Sequence, residues 1–454
     1  MLEVILTLLM ISIVVYAIIK KFHAATAIFA VSITALVLWT LITGNSLQGE
    51  ETVGNIFLDV FEFLHATMQT QMAGNVLVVM VIMGYVGFMN HLKASEAFTI
   101  LVSRPLQKIS NPYLLAGMLI IVGASLKLVI PSAMATVSLL FAVLYPALLR
   151  CGVTKATIAS GLVCSTIITW GPADAGVVMT AAIVAPEMSV TDFFIGYHFP
   201  IAVSGLIAMA ITFFFTSRFF DIKENALGLD DKELKSNTIE DLGIPKFYAL
   251  LPSLPLIFIV LFSGRVLPFT MSTVAAALLS LITAFMIHIV TNIKSLKSAF
   301  NDITGFYNAM GDYTAKVAFI IIAGTVFSAS LNRVGGMDVI VESLTNMGGG
   351  VLLLTIVGSI VAVVVTASTV SYMANLNVFV PFFLSISNVT GFNAATLGGI
   401  ANSATGLGTG LTPASGAMLF ISGSCGVSPT TIIKRNVIPI VFALIAMIIA
   451  TFVF

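Results

Sequence analysis

The sequence predicts an all-α polytopic membrane protein made of two inverted repeats, each with a re-entrant hairpin and a broken helix. Three observations carry that prediction. The 454 residues are 58% hydrophobic and 9% charged, against roughly 25% charged residues in soluble domains, and mean hydropathy is +1.09. Apolar runs of span length recur in the same order in both halves. Four of these stretches are interrupted by polar, Gly- or Pro-containing segments. The sharpest interruption is NSATGLGTGLTPASG, residues 402–416, inside the apolar run 394–424. Gly and Pro cost about 1 and 3 kcal/mol in a helix interior. Unwound backbone is tolerated at membrane depth only where protein or a wet cavity satisfies it, and such a break is the sequence pointer to a carrier's binding site.

Spans of about 20 apolar residues are predicted at 2–19, 24–43 and 72–90, with an amphipathic helix at 54–67. The run 2–19 lacks the basic leader and cleavage site of a signal peptide and reads as the first span. A hairpin follows at 112–149, interrupted by KLVIPSAMAT (127–136), then a broken helix at 154–185, interrupted by TWGPADAG (169–176), then a span at 193–215. Residues 217–246 hold twelve of the forty charged residues, which marks a solvated cytoplasmic linker. Spans at 247–262, 271–290 and 315–331 open the second half. They are followed by a hairpin at 349–386 with TASTVSYMANLN (366–377), the broken helix at 394–424 and a last span at 437–454. The order repeats, and WGPADAG in the first break matches LTPASGA in the second. The domains are therefore 1–216, a linker at 217–246, and 247–454.

If each hairpin returns to its own side, each half crosses the bilayer five times, and the odd number inverts one half relative to the other. With both termini periplasmic, sixteen of the twenty Lys and Arg are cytoplasmic. Arg265 and Arg333 face outward, Lys316 sits near an inner helix end and Lys127 lies in the first hairpin. That asymmetry satisfies the positive-inside rule.

Charge inside the apolar runs is scarce. Asp174 is the acid set within a predicted spanning segment, and Lys127 is the base near mid-depth. Ionisable groups there are expensive and mark a pathway; the alternatives are a helix cap for Asp174 and a structural pair or snorkelling for Lys127. Hydroxyls and amides cluster at the same places: Ser132 and Thr136 at the first tip, Thr366, Ser368, Thr369, Ser371, Asn375 and Asn377 at the second. Thr169 and Asp174 mark the first break, and Thr405, Thr409, Thr412, Pro413 and Ser415 the second. A single Ser or Thr in a membrane helix usually bonds back to its own turn, but four clusters at four interruptions point to a site. Half-helix N-termini and amides suit carboxylates, and unwound carbonyls near Thr169 and Thr405 suit Na⁺.

Net charge is zero and no basic block is present, which excludes a nucleic-acid partner. The three cysteines form no CxxC, and there is no HExxH, P-loop or Ser-His-Asp spacing, so neither enzyme chemistry nor a cofactor is expected.

RPLQKISNPYLLAG, APEMSVTDF and LTPASGAMLFISGSCGVSPTTIIKR resemble the DcuC-type anaerobic C4-dicarboxylate transporters of the wider ion-transporter superfamily, over nearly the whole chain. The resemblance implies an elevator-type carrier with scaffold and transport domains, dimeric, moving succinate, fumarate or malate across a bacterial inner membrane. It implies that Ser132, Thr366, Ser368 and the loops around Pro172 and Pro413 hold substrate, with Na⁺ or H⁺ as the coupling ion or exchange in its place. The family pattern carries an Arg in the second break where this chain has Thr409, and Lys127 is unusual beside it. A carrier for another organic anion or an amino acid, and a passive anion channel, stand as the alternatives.

Overall fold

The computed structural model describes every residue except 1, 21, 49–51, 104–110, 224–239, 263–266, 268–270, 347–349, 370 and 414. Arg265, the whole of RPLQKIS (104–110) and most of the predicted linker lie outside the described residues. Among the described residues all regular structure is helical.

In the first half, α1 (Leu2–Ile19) and α2 (Ala24–Thr43) fall where the apolar runs predict them. The amphipathic helix and the next span are one continuous run: α3 (Ile56–Gln71) passes through a π turn, Met72–Val76, into α4 (Leu77–His91). A short α5 (Ala94–Ser103) has no counterpart in the prediction. The first hairpin is α6 (Pro112–Lys127) and α7 (Ala133–Arg150). Asn111 starts it by accepting from the amides of Tyr113 and Leu114, an N-cap worth about 1 kcal/mol. The first broken helix is α8 (Lys155–Ile167) and α9 (Ala175–Val184). Then α10 (Val190–Phe193) runs through a π turn into α11 (Phe199–Lys223), which extends into the predicted linker. Asp221, predicted as part of a solvated segment, is 1% exposed.

The second half opens with 3₁₀ turns ending at Lys246–Ser253 and a short α12 (Leu254–Leu261). The predicted span 247–262 is therefore not one α-helix: Pro252 and Pro255 withhold amide donors where an α-helix needs them. After α13 (Thr273–Thr291) and α14 (Leu296–Asn301), α15 (Thr304–Tyr313) continues through the π turn Thr314–Ala318 into α16 (Phe319–Val334). An amphipathic α17 (Gly336–Asn346) follows. The second hairpin is α18 (Val351–Thr369) and α19 (Tyr372–Thr390). Thr366, Ser368, Thr369, Asn375 and Asn377 sit on helices, not in an unwound loop. The second broken helix is α20 (Ala394–Gly408), a 3₁₀ turn Thr409–Leu411, and α21 (Gly416–Cys425), and α22 (Pro429–Val453) ends the chain.

Helical structure thus runs on to Leu411 and resumes at Gly416, so much of the predicted opening at 402–416 is helical. Its glycines serve close packing. A Cβ on Gly408 would stand 2.6 Å from both Thr366 Cβ and Val363 O, and one on Gly406 would stand 2.8 Å from Thr169 Oγ1. Tertiary contact overrides their poor helix propensity.

Seven helices among the described residues are long and apolar enough to cross a bilayer. Large apolar side chains such as Leu41, Phe215, Val290 and Val364 are exposed on their outer faces. Inside, α11 packs along α22, α6 against α8, and α20 against both α18 and α19. The helices α4 and α15 meet at backbone distance: a Cβ on Gly87 would stand 2.1 Å from Ala309 Cβ, and one on Gly305 would stand 2.8 Å from His91 Cβ. Small residues permit this approach, and in lipid such packing drives helix association.

Candidate functional site

The first hairpin tip, the start of the second hairpin and the two breaks converge on one cavity of about 340 Å³. Its charged lining residues are Lys127 and Asp174. Lys127 is the last residue of α6 and is 3% exposed. Its ammonium donates to the carbonyls of Thr166 (2.9 Å) and Ile168 (3.0 Å), which the break after α8 leaves without helical partners. Asp174 caps α9, its Oδ1 accepting from the amides of Gly176 (2.9 Å) and Val177 (3.4 Å). A carboxylate suits that end of a helix. Lys127 Nζ lies 3.9 Å from Asp174 Oδ2, an ion pair longer than a hydrogen bond. The cavity's two built-in charges cancel.

The second break repeats the local design without charge. Ser415 follows Pro413 by two residues, as Asp174 follows Pro172. It caps α21 by accepting from the Met418 amide (3.3 Å). Thr409 donates to Gly406 O (2.7 Å), and Ser132 caps the first turn of α7 by accepting from the Ala135 amide (3.4 Å). Ser132, Thr409 and Ser415 line the cavity with Lys127, Asp174 and Thr169.

The other predicted residues are not among the described residues that line it. Thr136 is buried and donates to Ile130 O (2.9 Å), holding the first tip together. Asn375 Nδ2 bridges Thr366 (3.1 Å) and Thr369 (2.6 Å) across the second tip, which gives these three a bracing position. Ser368 is on the exposed face of α18, bonded back to Val364 O (2.9 Å). Thr412 is fully buried and Pro413 exposed. Thr405 donates to Ala401 O (2.7 Å) and Thr169 to Asn402 Oδ1 (2.6 Å). Among the described residues no group of three His, Cys, Asp or Glu is placed to hold a metal.

Tyr372 and Asn402 went unselected in the sequence. Tyr372 begins α19 and lines the cavity, and its hydroxyl donates to Asn402 Oδ1 (3.1 Å). Asn402 Nδ2 donates to Thr180 on α9 (3.0 Å), which makes Asn402 a junction between both breaks and the second hairpin. Gly176 admits the tyrosine, since a Cβ there would stand 1.8 Å from its hydroxyl. Both residues lie in the polar interruptions that marked the site, and that was the available signal.

Away from the cavity, Arg435 on α22 (2% exposed) donates to Asp221 Oδ1 and to Thr157 Oγ1, each at 2.7 Å. Thr154 and Thr157 donate to the same carboxylate at 2.9 and 3.0 Å. The neighbouring Asn436 accepts from Ser160 and from Cys164 Sγ (3.2 Å), and donates to Gly410 O (3.3 Å). These contacts tie α8 and the 3₁₀ turn Thr409–Leu411 to α22.

Comparison with solved structures shows the same fold in transporters. The chain superposes on the YdaH transporter of Alcanivorax borkumensis with a TM-score of 0.60 at 13% identity, covering 94% of this chain and 98% of that one. MtrF of Neisseria gonorrhoeae, described as one of a class of antimetabolite efflux pumps, gives 0.59 at 15% identity, covering 94% of each. In sequence, the anaerobic C4-dicarboxylate transporter DcuC of Escherichia coli K12 is 27% identical over 435 residues, 95% of this chain and 92% of its own length. A probable anaerobic C4-dicarboxylate transporter DcuC of Vibrio cholerae is 27% identical over 461 residues, covering 100% of this chain and 98% of its own length. The apolar helices and these relatives make the chain a multi-pass membrane protein, and the family is one of carriers, not enzymes. With residues 2–454 matched by the family described as the C4-dicarboxylate anaerobic carrier, the chain belongs to the DcuC family.

Proposed function

We propose that the protein is a secondary carrier for small carboxylates, foremost C4-dicarboxylates such as succinate, fumarate and malate, in a bacterial inner membrane. The observation that carries this reading is the cavity itself, where two hairpins and two broken helices bring Lys127, Asp174 and a ring of hydroxyls together. The names of the relatives support the substrate class. On this reading the units 1–216 and 247–454 are inverted repeats with both termini periplasmic, and the site moves with the hairpins in an elevator motion inside a homodimer. Transport is by exchange or is coupled to Na⁺ or H⁺. Proteoliposomes loaded with unlabelled succinate should take up labelled succinate by counterflow. Uptake with no counterflow would favour a passive channel. Cysteines placed at the exposed hairpin bases Asn111 and Gly350 should label from opposite faces with an impermeant thiol reagent, and labelling from one face would end the inverted-repeat reading. The cancelling charges of Lys127 and Asp174 favour one second reading, a carrier for a monoanion or an amino acid. Competition by those compounds in the same assay separates it from the first.

A further inference from the structure

We infer that the groove between α1 and α2 is a binding site for a zwitterionic phospholipid, with one acyl chain along the groove, the phosphate on Arg333 and the headgroup ammonium at Glu3. The groove is a cavity of about 300 Å³ separate from the central one. It runs from Leu6 to Ile13 on α1 and from Trp39 to Ala30 on α2, with Val334 at the Trp39 end. Its walls are apolar but for the Trp39 indole and Thr34, whose hydroxyl donates to Ala30 O (2.8 Å). From Ala30 to Trp39 the helix rises about 13 Å, close to the roughly 15 Å that one leaflet contributes to the hydrocarbon core. Spread over that length, the volume leaves a channel about 5 Å across, too narrow for a helix of roughly 10–12 Å and wide enough for one hydrocarbon chain. An unfilled gap would forfeit dispersion contacts along its lining, and the bilayer supplies chains to fill it.

The polar groups at the mouth select the headgroup. Trp39 lies near the end of α2, the level at which tryptophan marks the membrane–water interface. The exposed Arg333, one residue before the end of α16, has its Cζ 5.8 Å from the centroid of the Trp39 ring. A guanidinium set over an aromatic ring still has in-plane N–H donors to offer a phosphate. On α1, Glu3 is exposed and lies one turn before Leu6, on the face that lines the groove. The two helix ends meet there: a Cβ on Gly336, at the start of α17, would collide with the Glu3 carbonyl. Neither Arg333 nor Glu3 makes an ion pair among the described residues. One cation and one anion at the mouth of an apolar groove complement a headgroup that carries both charges better than one with net charge. The leaflet is the one at the Trp39 end, periplasmic in the topology proposed above.

The test is quenching of Trp39 fluorescence by brominated acyl chains, in the full chain carrying Trp170→Phe, which leaves Trp39 as the sole tryptophan. The purified protein, in maltoside micelles that carry no phosphate, is titrated with phosphatidylethanolamine brominated in mid-chain. The matching phosphatidylglycerol and diacylglycerol are titrated alongside. Half-maximal quenching should come at a mole fraction about tenfold lower for phosphatidylethanolamine than for diacylglycerol, the size expected of hydrogen bonds to charged groups. Phosphatidylglycerol should fall between them. Arg333→Gln should remove the advantage of phosphatidylethanolamine over diacylglycerol, and Glu3→Gln its advantage over phosphatidylglycerol. Thr34→Phe, at an exposed position inside the groove, should weaken all three. Equal half-points for the three lipids, or an advantage over diacylglycerol that survives Arg333→Gln, would mean annular contact only and overturns the inference. So does phosphatidylglycerol bound as tightly as phosphatidylethanolamine. Loss of a dimer in Thr34→Phe, read by mass photometry, would make this face an interface between copies and overturns it as well. Should Trp170→Phe not fold, native mass spectrometry of the unmodified protein and of Arg333→Gln decides: one phosphatidylethanolamine per chain is retained by the first and lost from the second, or the inference fails.

Discussion

The buried pair Arg435–Asp221 and the buried pair Lys127–Asp174 use the same charges in different geometry. In the first, guanidinium and carboxylate meet at 2.7 Å, and Thr154 and Thr157 add hydroxyl donors to the acid. Neither Arg435 nor Asp221 lines the cavity. In the second, the charges stand 3.9 Å apart on the wall of a cavity, each anchored to backbone groups instead of to the other. Burial of an ion pair is weak evidence of stabilisation, whereas breaking one leaves an uncompensated charge. The contrast teaches that partner geometry separates a brace from a site. A pair that is closed on itself ties helices, and a pair held open by backbone anchors has capacity left for a third charge.

The largest effect should come from breaking the closed pair. Asp221→Ala leaves Arg435 without this carboxylate in the interior and should cost about 3–5 kcal/mol, read as a lower melting temperature in detergent. Transport of every substrate should fall with the amount of folded protein. A stable variant with selective transport loss would erase the contrast. Next is Lys127→Met at the open pair. Dianion transport should drop about ten- to hundredfold, the equivalent of roughly 1.5–3 kcal/mol for a hydrogen bond to a charged group, with a smaller loss for monoanions. An equal loss for all substrates with poor folding would make this pair a brace too.

A smaller effect is expected at Asp302, a partly exposed carboxylate between α14 and α15. Burial alone would raise its pKa, but hydrogen bonds from His288 (2.8 Å) and His91 (3.1 Å) bring it below the ordinary value. Its stabilisation is therefore present above the ordinary carboxylate range and is lost as pH falls through the lowered folded-state value. Asp302→Asn should flatten that acid limb in a plot of melting temperature against pH, and an unchanged limb would remove Asp302 from the account. The smallest effect should be that of Thr412→Val. Thr412 Oγ1 is buried with no hydrogen-bond partner among the described residues, so losing it should leave stability equal or slightly raised and affinity unchanged. A tenfold loss of affinity would return Thr412 to the site that its sequence position suggested.

Much of the fold could be read before the structure because apolar run length is a one-dimensional signal. The hairpin α6–α7 and the broken helix α8–α9 begin and end within a few residues of the predicted 112–149 and 154–185. Tertiary effects were harder to read. The glycines at 406, 408 and 410 suggested unwinding, yet they stay helical because α18 and the first break press against them. The tip at 366–377 looked long because it is polar, but its side chains bond to one another across two helices. In the site, Lys127 and Asp174 were visible as rare charges in apolar runs. Asn402 was hidden, since its role depends on Thr169, Thr180 and Tyr372 arriving from distant parts of the chain.

The close seam between α4 and α15 bears on the order of synthesis. Gly84 and Gly87 belong to the first half, and the residues that cover them, Gly305, Phe306 and Ala309, are made more than two hundred residues later. Until the ribosome has delivered α15, the narrow face of α4 has only lipid or a temporary protein neighbour against it. The first half therefore waits, inserted but without its final partner, through the translation of the linker and three further helices. Agents that act during that interval, such as an insertion factor that shelters small-residue faces, would govern the yield of this protein more strongly than they would one whose helices pair in order of appearance.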